Sequence, residues 1–465
     1  MKIRKIKYNN HPVLGNLELN LVNNDTGLPY ETIVFAGENG TGKTSILSSL
    51  NTFLCRSSFE HFGSIEYEVE GQQFEALPPD IHDIQDRIKL GFHKRKDLQT
   101  NVVVQINRNQ HTDSKGIETD TFDIRHCGCV YSKARADFSV KSIKGTTSLE
   151  IDNGMYDQDT QEDFSSLKQL IVDVQTDDNE LLRRAHEQSA DHQVDYNTLE
   201  SQFKISRFRY AFDNFFEAIK YKGVVSENGE KIVQFEKHTR TITIDQLSTG
   251  EKQIVYRGIY LLRNVGKLDG ATIMIDEPEL SMHPKWQQRI LTYFKDLFKA
   301  ADGSQKAQMF FATHSEYVLG EALKDRDRTL VIVLKDNNGT IEKQEIRTPM
   351  VLPTITTSEI NYAAFGIPSI DYHIALYGEI QSRFGVPFIT ACDKKIESCT
   401  PYYKQAEHER ITPNPNKTGE PYKTICTKVR NHIDHPDNPY GFTEVELETS
   451  IKLMRDIIER VPVTP

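Results

Sequence analysis

Three apolar runs, each ending in polar or glycine residues, predict buried strands in this chain. They lie at Thr32–Ala36, Ala271–Glu279, where the apolar part ends in two acids, and Gln308–Ala312. Short, continuous apolar runs bounded by turn signals are typical of strands covered on both faces, as in parallel sheets. The first run leads through a glycine-rich turn into Thr44–Leu54, which has the pattern of a helix. We therefore predict an α/β fold in which strands and helices alternate.

A large insertion interrupts this pattern. Roughly 200 residues separate Thr44 from Leu247, whereas one strand–loop–helix–strand unit needs only about 30. Strand-like runs at Asn101–Ile106 and Glu118–Ile124 fit the first lobe of the fold, and the stretch from about 154 to 221 is polar and helix-rich. One helical face of that stretch carries Leu167, Leu170, Ile171 and Val174. No heptad repeat is sustained over three units, so no long coiled-coil arm is predicted.

The last quarter of the chain has a different, helical pattern. After a strand at Arg328–Leu334 and the turn Asp336–Gly339, we expect the first domain to end near Glu345, which gives domains at 1–345 and 346–465. Four helices are predicted in the second domain, at Ser358–Ala364, Ile370–Phe384, Pro421–Ile433 and Thr443–Arg460. Thr443 with Glu446 three residues on forms a capping box.

One face of the last helix carries Leu447, Ile451, Met454 and Ile458. It is a candidate docking face for a partner, and the competing interpretation is that it packs against the first domain.

Composition narrows the class of protein. The 465 residues include 56 basic and 67 acidic side chains, and the net charge of −11 argues against a protein that coats DNA by charge alone. Six scattered cysteines favour reduced thiols in a reducing compartment over a disulfide framework. No apolar run approaches the roughly 18 residues of a membrane span, and the N-terminal residues lack the apolar core of a signal peptide. A cytoplasmic protein is therefore expected.

The run Gly37–Thr44, GENGTGKT, matches the phosphate-binding pattern G-x-x-x-x-G-K-[ST] at every fixed position. Its glycines allow successive amide groups to surround a phosphate at a helix N-terminus, where the helix dipole favours negative charge. Lys43 would reach the β- and γ-phosphates, and the Thr44 hydroxyl would bind Mg²⁺. The pattern predicts a nucleotide site that uses ATP and Mg²⁺.

Three further motifs follow in a fixed order. Asp276 and Glu277 end a buried strand, where the first acid suits Mg²⁺ and the second can orient and deprotonate an attacking water. The run LSTGE, Leu247–Glu251, precedes a helix predicted over Lys252–Arg263. A third strand ends in Thr313-His314-Ser315, which places the His314 imidazole at the ligand-binding edge of an open sheet.

This order of motifs resembles the ATP-binding-cassette ATPases, specifically the branch with structural-maintenance, RecF-like and OLD-like proteins. The resemblance implies a homodimer in which two heads sandwich two ATP molecules, with Ser248 and Gly250 contacting the γ-phosphate on the opposite head and His314 sensing it. The nucleotide-binding residues carried over are Asn39, Gly40, Gly42, Lys43, Thr44 and Ser45. Glu277 and His314 are carried over as catalytic residues, and Thr44 and Asp276 as metal ligands.

The sequence does not clearly identify two residues that this family has near the nucleotide. The glutamine of the Q-loop has no clear position, and Gln105 is only a weak candidate. Arg135 resembles a basic residue found near the nucleotide in relatives, and an exposed surface arginine is an equally good interpretation.

Several other patterns have ordinary structural explanations. His126, Cys127 and Cys129 could form half of a zinc site, but buried reduced thiols are favoured because no second pair lies nearby. The basic runs His93–Lys96 and Lys204–Arg209 are interpreted as solvated faces rather than nucleic-acid contacts.

Arg430 and His435 fit the loose R-x4-H pattern of HEPN ribonucleases and could together act on a ribose 2′-hydroxyl. A helix terminus explains the same residues, so this is an alternative rather than the main hypothesis.

The whole chain resembles the ATPase subunits of bacterial anti-phage systems, among them that of the Septu system, which works with an HNH nuclease. This implies a slow, regulatory ATPase that assembles into a higher homo-oligomer with a co-encoded HNH nuclease, binds nucleic acid through that complex, and does not bind a membrane. Two alternatives remain: a self-contained ribonuclease using Arg430 and His435, and a RecF-like DNA repair ATPase. The neighbouring gene would discriminate among the three hypotheses. An HNH reading frame next to this gene favours the regulatory ATPase, and a DNA-repair operon favours the RecF-like repair ATPase.

Overall fold

The computed structural model describes residues 1–55, 58–79, 92–106, 118–133, 157–158, 164–188, 199, 203–264, 270–299, 303–414, 419–437 and 439–462. The chain divides into two compact units, Met1–Glu345 and Ile346–Pro465. The start of the expected helical insertion, near 154, and Arg135 lie outside the described residues.

The first unit is mixed α/β. Its strands are β1 (Lys2–Tyr8), β2 (Glu18–Asn20), β3 (Thr32–Ala36), β4 (Phe62–Val69), β5 (Gln72–Leu77), β6 (His93–Asp97), β7 (Val103–Ile106), β8 (Cys129–Ser132), β9 (Asp157–Gln158), β10 (Ile219–Glu227), β11 (Glu230–Lys237), β12 (Arg240–Thr243), β13 (Thr272–Asp276), β14 (Gln308–Thr313), β15 (Thr329–Asn337) and β16 (Thr340–Glu345). Its α-helices are α1 (Lys43–Leu54), α2 (Phe164–Gln188), α3 (Ser206–Phe215), α4 (Thr249–Asn264), α5 (Pro284–Gln287), α6 (Ile290–Leu297) and α7 (Glu316–Ala322). Short 3-10 helices lie at Ile244–Gln246 and Leu323–Asp325.

A central, mostly parallel sheet has the strand order β16-β15-β3-β14-β13-β8-β9, with β16 antiparallel at one end. Its register pairs Ala36 with Thr313 and with Val333, and pairs Asp276 with Ala312. The carboxyl ends of β3, β14 and β13 therefore lie side by side. Because ligands of open parallel sheets bind at that edge, the three motif-bearing loops converge where a nucleotide would bind.

A second sheet, of order β2-β1-β4-β5-β6-β7, is antiparallel. Helix α1 contributes Ile46, Leu50 and Phe53 to a hydrophobic core that also contains residues of both sheets, such as Ile65 and Phe310. Burying each such side chain stabilises the fold by about 1.5–3 kcal/mol. The helix that follows the phosphate loop is thus fixed by packing along its length.

The long insertion contains helices and a third sheet. The predicted apolar face of α2 is confirmed, because Leu167, Leu170, Ile171 and Val174 are all buried. The segment then ends in a strand, since β10 begins at Ile219 and pairs with β11, which in turn pairs with β12. Phe212 of α3 packs on this sheet with its ring centroid 5.2 Å from that of Phe235.

The second unit is largely helical. Its helices are α8 (Thr357–Phe365), α9 (Ile370–Arg383), α10 (Ile389–Glu397), α11 (Gln405–His408), α12 (Ile425–Asp434) and α13 (Glu444–Arg460), and a short hairpin joins β17 (Glu409–Thr412) to β18 (Tyr422–Thr424). The capping box predicted at Thr443 and Glu446 is confirmed. This architecture, an α/β unit with a phosphate loop between β3 and α1 followed by a largely helical unit, confirms the predicted α/β class with a helical second part.

The apolar face of α13 corrects a prediction. Leu447, Ile451, Met454 and Ile458 are buried in the hydrophobic core of the second unit itself. They are therefore not available as a docking face for a partner or for the first unit. The periodicity identified a buried face correctly, but it could not say which elements cover that face.

Two predicted elements differ for local reasons. Glu118–Ile124 forms turns rather than a strand, because the Asp120 carboxylate accepts a hydrogen bond from the Phe122 amide two residues on. The helix predicted over Pro421–Ile433 begins only at Ile425, since the Thr424 hydroxyl caps it by accepting from the Thr427 amide.

Candidate functional site

The phosphate loop between β3 and α1 is closely packed at two of its glycines. Gly37 has φ of 148°, and a Cβ atom there would lie 2.3 Å from the Leu334 carbonyl oxygen. Gly42 has φ of 87°, and its Cβ would lie 2.5 Å from Cδ2 of Leu14. A side chain is excluded at both positions, because backbone conformation and space each forbid it. Asn39 and Gly40 lie at the exposed tip of the loop.

Lys43 folds back over this loop. Its Nζ donates to the carbonyl oxygens of Gly37 and Glu38, each at 2.8 Å. Burial lowers the pKa of Lys43 to about 8, while the carboxylates of Asp276 and Glu277 oppose that shift. The ammonium group is held among carbonyl dipoles, where a phosphate could replace those partners.

The loop and the acidic pair meet through one hydrogen bond. Thr44 Oγ1 donates to Asp276 Oδ2 at 2.9 Å, and the Tyr131 hydroxyl donates to the same oxygen at 3.2 Å. A hydroxyl and a carboxylate oxygen beside a phosphate loop are the ligands that Mg²⁺ uses in P-loop enzymes. These two side chains therefore fit a magnesium site.

Glu277 is held in an uncommon backbone conformation. Its φ is 45°, in the left-handed region, which costs a residue other than glycine about 1–3 kcal/mol. Its amide donates to the Ala312 carbonyl oxygen at 2.9 Å, which ties it to the neighbouring strand β14. The surrounding structure thus fixes the backbone position from which the Glu277 side chain extends, next to Asp276.

Arg257, on α4, is a site residue that the sequence analysis did not identify. Its guanidinium donates to the main-chain carbonyl oxygens of Asp276 and Glu277, the latter at 2.8 Å. It also donates to the Ser132 hydroxyl at 3.1 Å and to the Lys133 carbonyl oxygen at 2.9 Å, at the end of β8. A single buried side chain therefore joins the helix after LSTGE to the turn that carries both acids.

His314 and Glu279 connect the third motif to the acidic turn. The Glu279 carboxylate accepts from the Thr313 hydroxyl and from the His314 amide, both at 2.8 Å. The main chain of Gly37 lies near the His314 ring and favours its protonated form, which opposes the lowering of its pKa. Burial lowers the pKa of His314 and the nearby Lys43 charge adds to this effect, so the imidazole is neutral at physiological pH.

Glu279 itself lies in a buried environment. Burial raises the pKa of its carboxyl, and the charge of Glu277 adds to that effect. Its second oxygen, Oε2, is buried without a hydrogen-bond partner among the described residues.

Ser248 and Gly250 lie at the start of α4. The Ser248 amide donates to Glu251 Oε2 at 2.8 Å and its hydroxyl accepts from the Glu251 amide at 3.4 Å, which forms a reciprocal cap. Lys237 of β11 donates to the other oxygen of Glu251 at 2.8 Å. Ser248 itself is exposed. The described structure shows no bond from Ser248 or Gly250 to the phosphate loop of the same chain.

A cavity of about 370 Å³ adjoins the phosphate loop along α1. Its lining includes Thr44 and Ser45 from the start of the helix and two imidazoles, His11 and His61, whose ring centroids lie 5.3 Å apart. The cavity has room for the rest of a nucleotide, with hydroxyls on one side and aromatic rings on another.

The weaker candidates fall outside this cluster. Gln105 is exposed on β7 of the antiparallel sheet, and the Q-loop position stays unassigned. Arg430 pairs with Asp434 at 2.6 Å and contacts Asn431, and no hydrogen bond joins it to the exposed His435 within the described chain. The Arg430 guanidinium, which the ribonuclease hypothesis requires for catalysis, is therefore already paired with the Asp434 carboxylate.

The basic runs and the cysteines have structural roles. His93 is wholly buried beside Phe53, which corrects its interpretation as part of a solvated face. Phe208 is likewise buried and cannot stack on a base. Cys127 and Cys129 are free and buried. Among the described residues, no group of three or more His, Cys, Asp or Glu side chains is arranged to hold a metal ion.

No helix in the described part of the chain combines the length and apolar composition needed to cross a membrane.

Comparison with known proteins gives one family model and similarities to curated proteins and solved structures. The model of the family described as "AAA domain, putative AbiEii toxin, Type IV TA system" matches residues 33–320. A segment of 92 residues, 18% of this chain, is 36% identical to the "Retron Ec83 probable ATPase" of Escherichia coli. That match spans only 16% of the relative's length.

Among solved structures, the SMC head domain from Thermotoga maritima is 13% identical, with a TM-score of 0.37 over 75% of this chain and 100% of that chain. The Smc head domain derived from Pyrococcus furiosus, bound to the C-terminal domain of ScpA, is 11% identical, with a TM-score of 0.35 over 74% and 96%.

Proposed function

This chain belongs to the AbiEii-type family of AAA domains, a family of P-loop ATPases, and on that premise we propose that it is a regulatory ATPase of a bacterial anti-phage defence complex. The observation that carries the ATPase assignment is the hydrogen bond between Thr44 and Asp276, which brings the phosphate loop and the acidic turn together. A glycine-rich turn used only for folding would not need a metal-binding pair beside it.

The roles of the site residues follow from their positions. Lys43 and the loop amides would hold the β- and γ-phosphates, and Thr44 and Asp276 would hold Mg²⁺, which neutralises phosphate charge when bound. Glu277 would orient a water molecule and accept its proton as the water attacks the γ-phosphorus. His314, fixed between Gly37 and the Glu279 segment, would sense whether the γ-phosphate is present.

We further propose that two heads assemble face to face around ATP. Ser248 is exposed at the N-terminus of α4 and has no bond to its own phosphate loop in the described structure. An exposed serine at a helix N-terminus, with a glycine two residues on, suits a phosphate presented by another molecule. Each ATP would then be held by the loop of one chain and by Ser248 and Gly250 of the other.

The proposed biological setting is based on the family, described as a putative AbiEii toxin of a Type IV TA system, and on the similarity of one segment to a retron ATPase. We propose that a separate, co-encoded nuclease of HNH type does the cutting of nucleic acid in the cytoplasm, as in the Septu system, and that ATP controls it. The second unit, residues 346–465, is the proposed region for partner binding or assembly.

The decisive experiment is a cleavage assay with the purified chain, alone and with the co-encoded nuclease, across an ATP titration. Because a ligand shifts a complex only by binding one state more tightly, we expect ATP at cellular concentrations to hold the nuclease quiet and its depletion to release cutting. Metal-dependent cleavage by this chain alone would refute the two-component proposal. Cleavage that rises with ATP would reverse the sign of control.

A further inference from the structure

A second cavity, of about 320 Å³, lies at the end of β3 opposite the phosphate loop. Its walls include Leu291 and Lys295 of α6, Glu321 of α7, Thr32 at the start of β3 and Arg328 just before β15. We call it the α6–α7 cavity. Its volume is at the lower end of the range of small-molecule pockets, so it has room for a compact ligand.

Hydrogen bonds between its walls fix the shape of the α6–α7 cavity. The Glu321 carboxylate accepts from the amides of Leu291 and Thr292, at 2.9 and 2.7 Å, which joins α7 to the start of α6. Lys295 Nζ donates to Asp325 Oδ2 at 3.0 Å, which joins α6 to the segment after α7. Because these bonds exist without a ligand, a ligand would meet a preformed site.

The β3 wall carries a buried hydroxyl without a partner. Side chains alternate between the two faces of a strand, and Ile33 and Phe35 belong to the core that contains α1. Thr32 therefore projects from the other face, on the side of the cavity. It is wholly buried, and its Oγ1 has no hydrogen-bond partner in the described structure. Since buried hydroxyls are normally paired, this one marks a position for a bound group or an ordered water.

The acidic residues that line the α6–α7 cavity already have partners. Two of them, Glu321 and Asp325, make the hydrogen bonds described above. The other two lie beside lysines, Glu31 at 3.8 Å from Lys2 and Asp296 at 3.9 Å from Lys299. Their negative charges are therefore largely compensated within the protein.

Two of the cations that line the cavity have no such partner. Lys324 and Arg328 are exposed, and their side chains form no ion pair or hydrogen bond with any described residue. They lie four residues apart on the segment between α7 and β15. Among the described lining residues none is aromatic, so the walls offer charge and hydrogen bonds rather than a surface for ring stacking.

We propose that the α6–α7 cavity binds a small anion with two or more negative charges, carried by phosphate or carboxylate groups. Lys324 and Arg328 bind the charged groups, and the Thr32 hydroxyl contacts the buried end of the ligand. The site is separate from the nucleotide site and does not depend on the assembly of two heads. Its ligand would lie at the far end of α7, the helix that Ser315 caps directly after His314.

The first test is a calorimetric titration of a Lys43→Ala chain, in which the phosphate loop no longer competes for anions. Pyrophosphate and citrate are titrated separately, at constant ionic strength set with sodium chloride. We expect a dissociation constant below about 1 mM for at least one of them, and the tighter one tells phosphate from carboxylate recognition. If neither anion binds below about 10 mM, the proposal is overturned.

Charge-removing variants of the same Lys43→Ala chain locate the site. Lys324→Gln and Arg328→Gln should each weaken binding roughly tenfold, and the double variant should abolish it. Arg326→Gln is the matched control, because it removes an exposed charge from the same segment at a residue that does not line the cavity. It should bind like its parent. Binding that survives in the double variant, or an equal loss in Arg326→Gln, would show that the anion binds elsewhere or by overall charge.

Thr32→Val tests the buried end of the cavity, since it keeps the shape of the side chain and removes the hydroxyl. Because that hydroxyl has no protein partner, the free chain should unfold at nearly the same temperature as its parent, while anion binding should weaken severalfold. Unchanged binding would refute the contact with Thr32. If neither small anion binds but a single-stranded oligonucleotide does so through Lys324 and Arg328, the two cations contact nucleic acid and the ligand site is refuted.

Discussion

The guanidinium of Arg257 donates a hydrogen bond to the main-chain carbonyl oxygen of Glu277 at 2.8 Å. The two residues are brought together although Arg257 lies in the middle of α4 and Glu277 follows β13. Because Glu277 has a positive φ, its backbone needs external support to keep the carboxylate in place.

Replacing Arg257 with methionine should therefore impair hydrolysis more than binding. We expect kcat to fall roughly 10- to 100-fold, with the dissociation constant of ATP changed by less than about threefold, since the phosphate loop is untouched. Steady-state kinetics and a fluorescent-nucleotide titration would separate these two effects. Arg240→Met, in the exposed β11–β12 hairpin, is the control variant. If Arg257→Met lost ATP affinity by as large a factor as it lost kcat, the positioning role of Arg257 would be contradicted.

Lys43 should couple ATP binding to proton uptake. In the free chain its pKa is lowered to about 8, chiefly by burial. Phosphate charge raises the pKa of a neighbouring lysine, so between about pH 8 and 9 binding should take up a proton, and well below pH 8 it should not. Calorimetry in buffers of different ionisation enthalpy measures the number of protons taken up per ATP bound. Lys43→Arg is the matched control because arginine stays charged throughout, and Lys43→Ala should bind ATP at least about 100-fold more weakly.

The same shift has a defined effect on the stability of the free chain. A lysine pKa that is depressed on folding means that the unfolded state binds more protons between about pH 8 and the ordinary lysine value near 10.5. Stability contributed at this position should therefore rise with pH across that window. Comparing urea unfolding of wild type and Lys43→Met from pH 7.5 to 10 tests the sign. A wild-type free energy of unfolding that falls relative to that of Lys43→Met as the pH rises across this window would contradict it.

Glu279 should be needed for its hydrogen bonds rather than for its charge. One of its oxygens accepts from both Thr313 and His314, and burial raises the pKa of the carboxyl. Glu279→Gln keeps the acceptor, so we expect ATPase activity within about threefold of wild type. Glu279→Ala removes it and should lower kcat by roughly tenfold or more. Equal loss in both variants would show that the negative charge matters.

Ser248 should act across the head interface. A Ser248→Arg chain blocks the proposed contact with the partner's γ-phosphate but keeps its own phosphate loop. Mixed with Lys43→Ala, it should restore one composite site at most, which is about half of the wild-type rate. Recovery of the full rate would show that Ser248 does not contribute to the partner's site.

The parts of the site that sequence could predict are those encoded locally. The phosphate loop, the acids after β13 and His314 after β14 are each marked by a few adjacent residues, and their order along the chain predicts a common sheet edge. Arg257 carries no such mark. Its partners are mostly main-chain carbonyl oxygens near Ser132 and Asp276, which no local spacing reveals.

The same distinction applies to the second unit. The capping box at Thr443 is a four-residue signal and was predictable, and so was the existence of an apolar face on α13. The β17–β18 hairpin was not predicted, because its pairing depends on residues brought together by the helices around it. The partner of a buried helix face is likewise a property of the whole fold.

The Gly37 backbone runs so close to the Leu334 carbonyl oxygen that no side chain fits between them. Because the backbone is packed closely against β15 at this glycine, we expect this part of the loop to move little when a nucleotide binds, with little loss of chain entropy there. The response to ATP must then arise in other segments, namely those that carry His314 and the loop after Glu279. We therefore expect a preformed phosphate loop, with any conformational response to ATP carried by the segments around it.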